Sequence, residues 1–184
     1  SIAALPFDSQ PTRKKIAEAE IQRLEHHSDV CVQLSLERLA RQARDRGKDW
    51  SMGSEWVEDL IDGLVRTLLS MGLINLDLMD LRAIVQHKGG STMLVGTGHH
   101  EQLDDLYNAT IKAPLAPMNV AGAKGCLLQI EGGLGMTIGQ VDEIATALTS
   151  AVDSDAQVIL GARVSPDLEG TIRIVMLLSG IGDD

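Results

Sequence analysis

Asn75, Asp77 and Asp80 put three polar side chains into one short apolar stretch, Gly72-Leu73-Ile74-Asn75-Leu76-Asp77-Leu78-Met79-Asp80-Leu81-Arg82. At a spacing of three, two carboxylates share one helical face. With Asn75 close by they form an acidic prong suited to orienting a water, or to helping hold a hydrated Mg²⁺ near a phosphate. The same pair has a purely structural use. Asp77 is an acceptable helix N-cap, and Asp80 completes a capping box while favouring the positive helix end, together worth ~1 kcal/mol. Capping alone leaves Asn75 and the short exposed turn unexplained.

The elements that must position this prong read clearly. Val57, Leu60, Ile61, Leu64, Val65, Leu68 and Leu69 recur at the spacing of one helical face. They predict a helix from Gly53 to Met71, roughly 28 Å long at 1.5 Å per residue. Gly72 ends it, because glycine takes a left-handed backbone at little cost. Upstream, Ile2 to Leu5 predicts a strand, Pro11 to His26 a helix, Val30 to Leu34 a strand, and Ser35 caps a helix through Ala43. Such a β-α-β-α succession belongs to a parallel sheet, and two strands need further partners to be stable. Downstream, strands are expected at Met93 to Gly96, Gly125 to Ile130, Gln157 to Val164 and Thr171 to Ser179. Helices are expected from Glu101 to Lys112 and after the cap Thr137, the latter carrying Ile138, Val141, Ile144, Ala145, Leu148 and Val152 on one face. Gln157-Val158-Ile159-Leu160 is apolar enough to predict a central strand.

Composition narrows the function classes. A chain of 184 residues with 44% hydrophobic and 23% charged residues is an ordinary globular composition, and 2% aromatics make the core aliphatic. The net charge of -10 argues against a nucleic-acid groove, which needs clustered Lys and Arg. No apolar run is long enough to span a bilayer, so direct membrane insertion is not expected. Cys31 and Cys126 read as buried free thiols of a reducing compartment, so the cytoplasm is the expected location. Ser1-Ile2-Ala3-Ala4-Leu5 reads as a strand already in progress, as in the later part of a longer polypeptide. His26-His27 and His99-His100 lack zinc-site spacing and are expected at the surface.

The stretch Gly72 to Arg82 closely resembles the activating loop of FtsZ, the tubulin-like cell-division GTPase family, whose loop reads G-L-x-N-x-D-F-A-D-V. Gly122-Ala123-Lys124-Gly125-Cys126-Leu127-Leu128-Gln129-Ile130-Glu131-Gly132-Gly133 is similar to that family's G-A-[RK]-G-[VL]-L-x-N-I-x-G-G. Ala156 to Gly161, Ile172 to Val175, Ser179-Gly180 and Leu5-Pro6-Phe7 follow the family's order as well. The resemblance implies an α/β to α+β chain. Residues 1–50 would end a Rossmann-like parallel sheet of the nucleotide-binding domain, and 51–72 would form the connecting helix. Residues 73–184 would form a GTPase-activating domain, a four-stranded sheet with two covering helices. It further implies head-to-tail filaments at the division site in which Asn75, Asp77 and Asp80 finish a neighbour's GTP site. The partners implied are a second copy and the protein's own N-terminal half, with GTP/GDP held mainly by that half and Mg²⁺ at the phosphates. Trp50 and Glu55 match guanine-contacting positions; their structural uses are packing on the linker and favouring a helix N-terminus.

The chain departs from the family pattern at two places. Leu36 stands where the family has a guanine-contacting Asn, and the G-G-G-T-G-[TS]-G phosphate signature is absent. Gly132-Gly133-Leu134-Gly135 matches the turn before a covering helix instead. This stretch alone is therefore expected to be inactive. The alternatives are a non-catalytic polymer or capping module of the same family, and a small enzyme with Asp77 and Asp80 in a pocket of its own.

Overall fold

Short local signals start and stop the first elements of the chain. In the computed structural model β1 (Ile2–Leu5) ends at Pro6, and α1 (Pro11–Glu25) opens on the proline whose fixed φ suits a first turn. β2 (Val32–Ser35) runs into α2 (Leu36–Asp45), where Ser35 Oγ accepts the Arg38 N–H at 3.3 Å. The structure describes residues 1–45, 72–111 and 119–182, together with 58, 61–63, 65, 66 and 69. These last seven positions are helical, as the predicted connecting helix requires. After the loop come α3 (Leu78–Val85), β3 (Gly90–His99), α4 (Leu103–Ile111), β4 (Gly125–Gly132), α5 (Ile138–Thr149), β5 (Gln157–Val164) and β6 (Thr171–Ile181).

β1 and β2 pair in parallel, and the four later strands form a second sheet in the order β3-β6-β4-β5. β6 runs antiparallel to both β3 and β4, while β4 and β5 are parallel and joined through α5. Period-two alternation splits this sheet into two cores. Leu94, Cys126, Leu128, Ile130, Ile174, Met176 and Leu178 face α4 and α5, burying Leu106, Val141, Ile144 and Leu148 with them. Met93, Leu127, Val175 and Leu177 face the other way, toward Ile84 of α3 and Val32, Leu34 and Leu39 of the N-terminal layer. Ser91 Oγ links the layers, accepting from Cys31 N at 3.1 Å and donating to Cys31 O at 3.3 Å.

Four expectations need correction. β5 is an edge strand, not a central one: its apolar run serves the two faces, through Leu160 and Ile159, and says nothing of what lies beside it. β3 extends well past Met93 to Gly96 because β6 pairs with it from Gly90 to His99. Ile138 is exposed at the first turn of α5, where the predicted inward stripe has not yet reached the sheet. Ile61, Val65 and Leu69 of the connecting helix are also exposed. Gly63 meets the sheet instead: a Cβ there would lie 2.7 Å from Val175 Cγ2, so a larger residue would have to push Val175 or the helix aside. Both cysteines are free and buried, and burial pushes the Cys126 thiol up to about 12, leaving it unreactive.

One surface contact makes a pH prediction. The Lys124 ammonium, 2.7 Å from Asp153, holds that carboxyl below its ordinary 3.8 and ties the start of β4 to the turn before β5. A depressed carboxyl stabilises the fold above its unfolded value and loses that contribution as pH falls through the folded one. Asp153→Asn is therefore expected to melt slightly below the parent at pH 7. The two melting curves should converge below pH 3.8, as read by circular dichroism.

Candidate functional site

The loop between the connecting helix and α3 is built from its own polar side chains. Asn75 Oδ1 accepts the Gly72 N–H at 2.6 Å, closing the start of the loop on itself; Gly72 does not take the left-handed backbone expected of it, and what calls for glycine there is the close approach to β5. Asp77 Oδ1 accepts from Met79 N at 2.7 Å and Asp80 N at 3.0 Å, and Asp80 Oδ2 accepts from Asp77 N at 2.8 Å. This is a complete reciprocal capping box, as the spacing predicts. Among the described residues it leaves Asp77 Oδ2 and Asp80 Oδ1 without a hydrogen-bond partner. Asn75 and Asp77 are exposed and Asp80 is half-buried.

The loop is fastened to the free edge of β5. Ile74 N donates to Ala162 O at 3.0 Å and Ala162 N to Ile74 O at 2.9 Å, an antiparallel bridge that caps the edge. Gly72 lies directly on Ala162 O and Arg163 Cβ, where a side chain would not fit. Leu76, 7% exposed, fills the space over Gly161, whose added Cβ would come 2.6 Å from it. The prong therefore projects from a backbone held at three successive points. Around it stand exposed apolar side chains: Leu69 at 79%, Leu73 at 50%, Leu78 at 70% and Met79 at 66%.

The site is convex. Three cavities among the described residues have neither Asp77 nor Asp80 in their walls. The one touching α3, about 380 Å³, lies against the N-terminal sheet and is lined by Ile2, Val32, Leu81, Arg82, Val85 and Met93 among others. None of these three is the pocket that a self-contained enzyme with both aspartates in its wall would need. Among the described residues no three His, Cys, Asp or Glu side chains are grouped to hold a metal ion. His99 and His100 stack with centroids 4.5 Å apart, and His100 Nδ1 lies 3.2 Å from Gly170 O, so that pair has a local structural use. Trp50 and Glu55 lie outside the described residues. Leu36 is half-buried and packs against the core that holds Leu34 and Leu39.

Residues 89–182 match the model of the FtsZ family, C-terminal domain. The chain belongs to the FtsZ family. The FtsZ cell division protein of Caulobacter vibrioides is 31% identical over 174 residues, covering 92% of this chain and 34% of its own length. The mitochondrial division protein fszA of Dictyostelium discoideum is 33% identical, over 92% of this chain and 33% of its own. An FtsZ dimer of M. jannaschii, solved empty, superimposes with a TM-score of 0.86 at 25% identity, covering 99% of this chain and 54% of that one. CetZ from Methanosaeta thermophila, 19% identical with a TM-score of 0.69 over 97% of this chain and 51% of its own, shares the fold. The chain thus spans about a third to a half of the length of its FtsZ and fszA relatives.

Sequence spacing locates the prong and its cap but not its seat. Gly161, Ala162 and Arg163 join the site only because β5 is the edge strand, and no local signal in Gln157–Val164 announces a partner so far back in the chain.

Proposed function

We propose that this chain is the activating part of an FtsZ-type cell-division GTPase, supplying Asn75, Asp77 and Asp80 to the nucleotide site of the next subunit in a head-to-tail filament. One observation carries the reading: a rigidly capped acidic knuckle keeps, among the described residues, an oxygen of each aspartate unused and lines none of the three cavities above, with exposed apolar side chains around it. A convex acidic patch with an apolar rim suits insertion into a concave partner, where the carboxylates orient the attacking water at a γ-phosphate. The donor set fits a shared hydrated Mg²⁺. Asp77 Oδ2 and Asp80 Oδ1 are hard oxygen donors, and Mg²⁺ takes one or two carboxylates while phosphates and water fill the rest. Bound there, the ion would neutralise charge on the phosphates.

GTP itself is assigned to an N-terminal half, since the Gly-rich phosphate signature is not in these residues. The exposed Ile61 and Val65 of the connecting helix offer that half an apolar docking face. Among the described residues no helix is long and apolar enough to cross a membrane, and we assign the protein to the cytoplasm at the division site. Contacts of this head-to-tail kind do not close, so they build filaments. Leu36, packed inward at the position of the family's guanine-contacting Asn, favours a second reading, a filament module that does not use nucleotide.

The concentration dependence of turnover tests the shared site. In the full-length protein, GTP hydrolysed per subunit is expected to rise steeply above an assembly threshold and to be negligible below it. A rate per subunit that is constant with dilution would contradict a site completed by a neighbour, and no hydrolysis at any concentration would favour the second reading.

A further inference from the structure

Glu131 is an acid in an unexpected place. It lies on β4, 5% exposed, on the face that also carries Leu127 and the buried Gln129. In register it stands opposite Arg163 of β5 and Arg173 of β6, so three charged residues form one straight row across the sheet. Glu131 Oε1 accepts a short hydrogen bond from Arg163 Nη2, and Oε2 lies 3.8 Å from Arg173 Nη1. Arg163 and Arg173 are themselves 14% and 24% exposed at their side chains. Taking such charges out of water is costly, and aliphatic residues of similar volume would often hold the strands together as well or better. The row therefore asks for a use beyond holding strands.

Its neighbours supply one. Arg163 Cβ is 3.1 Å from where a Cβ on Gly72 would be, so the stem of Arg163 is the floor on which the helix-to-loop turn rests. Ala162, the preceding residue, makes both backbone bonds to Ile74. On the same face Gly63 of the connecting helix lies against Val175, two residues along β6 from Arg173. Arg66, one turn further along the helix, is bonded to Asp62 at 2.5 Å and also feels the Glu131 charge. The connecting helix at Gly63 and Arg66 and the start of the loop at Gly72 and Ile74 thus lie against or beside the same row.

We infer that Glu131 is a positioning residue for the acidic loop: by bridging Arg163 to Arg173 it locks the edge of β5 on which Gly72 and Ile74 are seated, and so fixes where Asp77 and Asp80 project. The inference rests on the reading of the loop as the activating element, but its first readout does not depend on that reading. Glu131→Gln keeps the shape and removes the charge. Arg163→Met keeps the stem and leaves Glu131 its Arg173, so it carries the test should the first variant fold poorly.

Amide hydrogen exchange in the unassembled full-length protein is expected to quicken about tenfold at Ile74 and Ala162 in both variants, while Leu128 and Met176 inside the sheet keep the parent rate. In assembled protein kcat for GTP should fall about tenfold with KM unchanged, and Arg163→Lys should recover part of it. Parent-like exchange at Ile74 and Ala162 would overturn the inference whatever happens to turnover. Faster exchange spread equally over β4 and β6 would overturn it too, reducing Glu131 to a general stabiliser of the sheet. Exchange that quickens only at the seat, with kcat untouched, would uphold the positioning and count against the catalytic role of the loop instead.

Discussion

Asp80→Ala in the full-length protein is expected to lower GTP turnover about 10²–10³-fold, the usual loss when one preorganised electrostatic group is removed from a transition state. Nucleotide affinity should be almost unchanged, because in the proposed shared site the carboxylate comes from a different subunit from the one that binds the nucleotide. Magnitude separates this from a stability effect. Asp80 Oδ2 accepts one hydrogen bond, from Asp77 N, and its charge favours the N-terminus of α3. Losing both costs about 0.5–1 kcal/mol, far short of the roughly 3–4 kcal/mol in such a rate loss. Asp77→Ser sharpens the distinction. Serine is as good an N-cap as aspartate, so the melting temperature should hold while turnover falls, since only the carboxylate is gone. If stability and turnover fell together in both variants, capping would be the whole role of the pair.

The largest expected loss of stability lies in the other core. Leu128 is fully buried on β4 and lies inside a row, Leu160, Leu128, Met176 and Leu94, that crosses all four strands beneath α4 and α5. Leu128→Ala removes buried volume where neighbours on both sides are held in register and cannot close the gap. The cost should be about 2–5 kcal/mol, lowering the melting temperature by on the order of 10 °C. Leu134→Ala, at a position 77% exposed, should change stability by about 0.5 kcal/mol or less. A Leu128 variant as stable as the Leu134 variant would mean that this row does not carry the fold.

Much of this arrangement can be read in the chain because it is written in local chemistry. Pro11, Ser35, Asp77 and Thr137 each begin a helix with the residue type that satisfies or forgoes the first N–H groups, and each helix starts where that chemistry places it. The prong at Asn75, Asp77 and Asp80 is legible for the same reason, since its hydrogen bonds all lie within the segment from Gly72 to Asp80. What depends on strand order is not legible. The apolar run of β5 looks central because Leu160 and Ile159 pack against opposite cores, while its outer edge is left to the Ile74 bridge. Glu131, Arg163 and Arg173 meet only through the β6-β4-β5 order, and the one advance sign is a charge at an inward position of a buried strand. The connecting helix shows a different limit. Its apolar stripe is real, yet Ile61, Val65 and Leu69 are exposed in this chain, and the sheet is met by Gly63. Periodicity reveals that a face is apolar without naming what covers it.

Subunit mixing tests the central claim most directly. One full-length variant carries Asp80→Ala and still binds GTP; the other keeps its loop but has its N-terminal phosphate-binding segment disabled. Each alone should be nearly inactive, and mixing them should restore a substantial fraction of turnover, because intact loops then finish intact nucleotide sites on neighbouring subunits. Mixed filaments that form but stay as inactive as either variant alone would contradict a loop that acts across the subunit boundary.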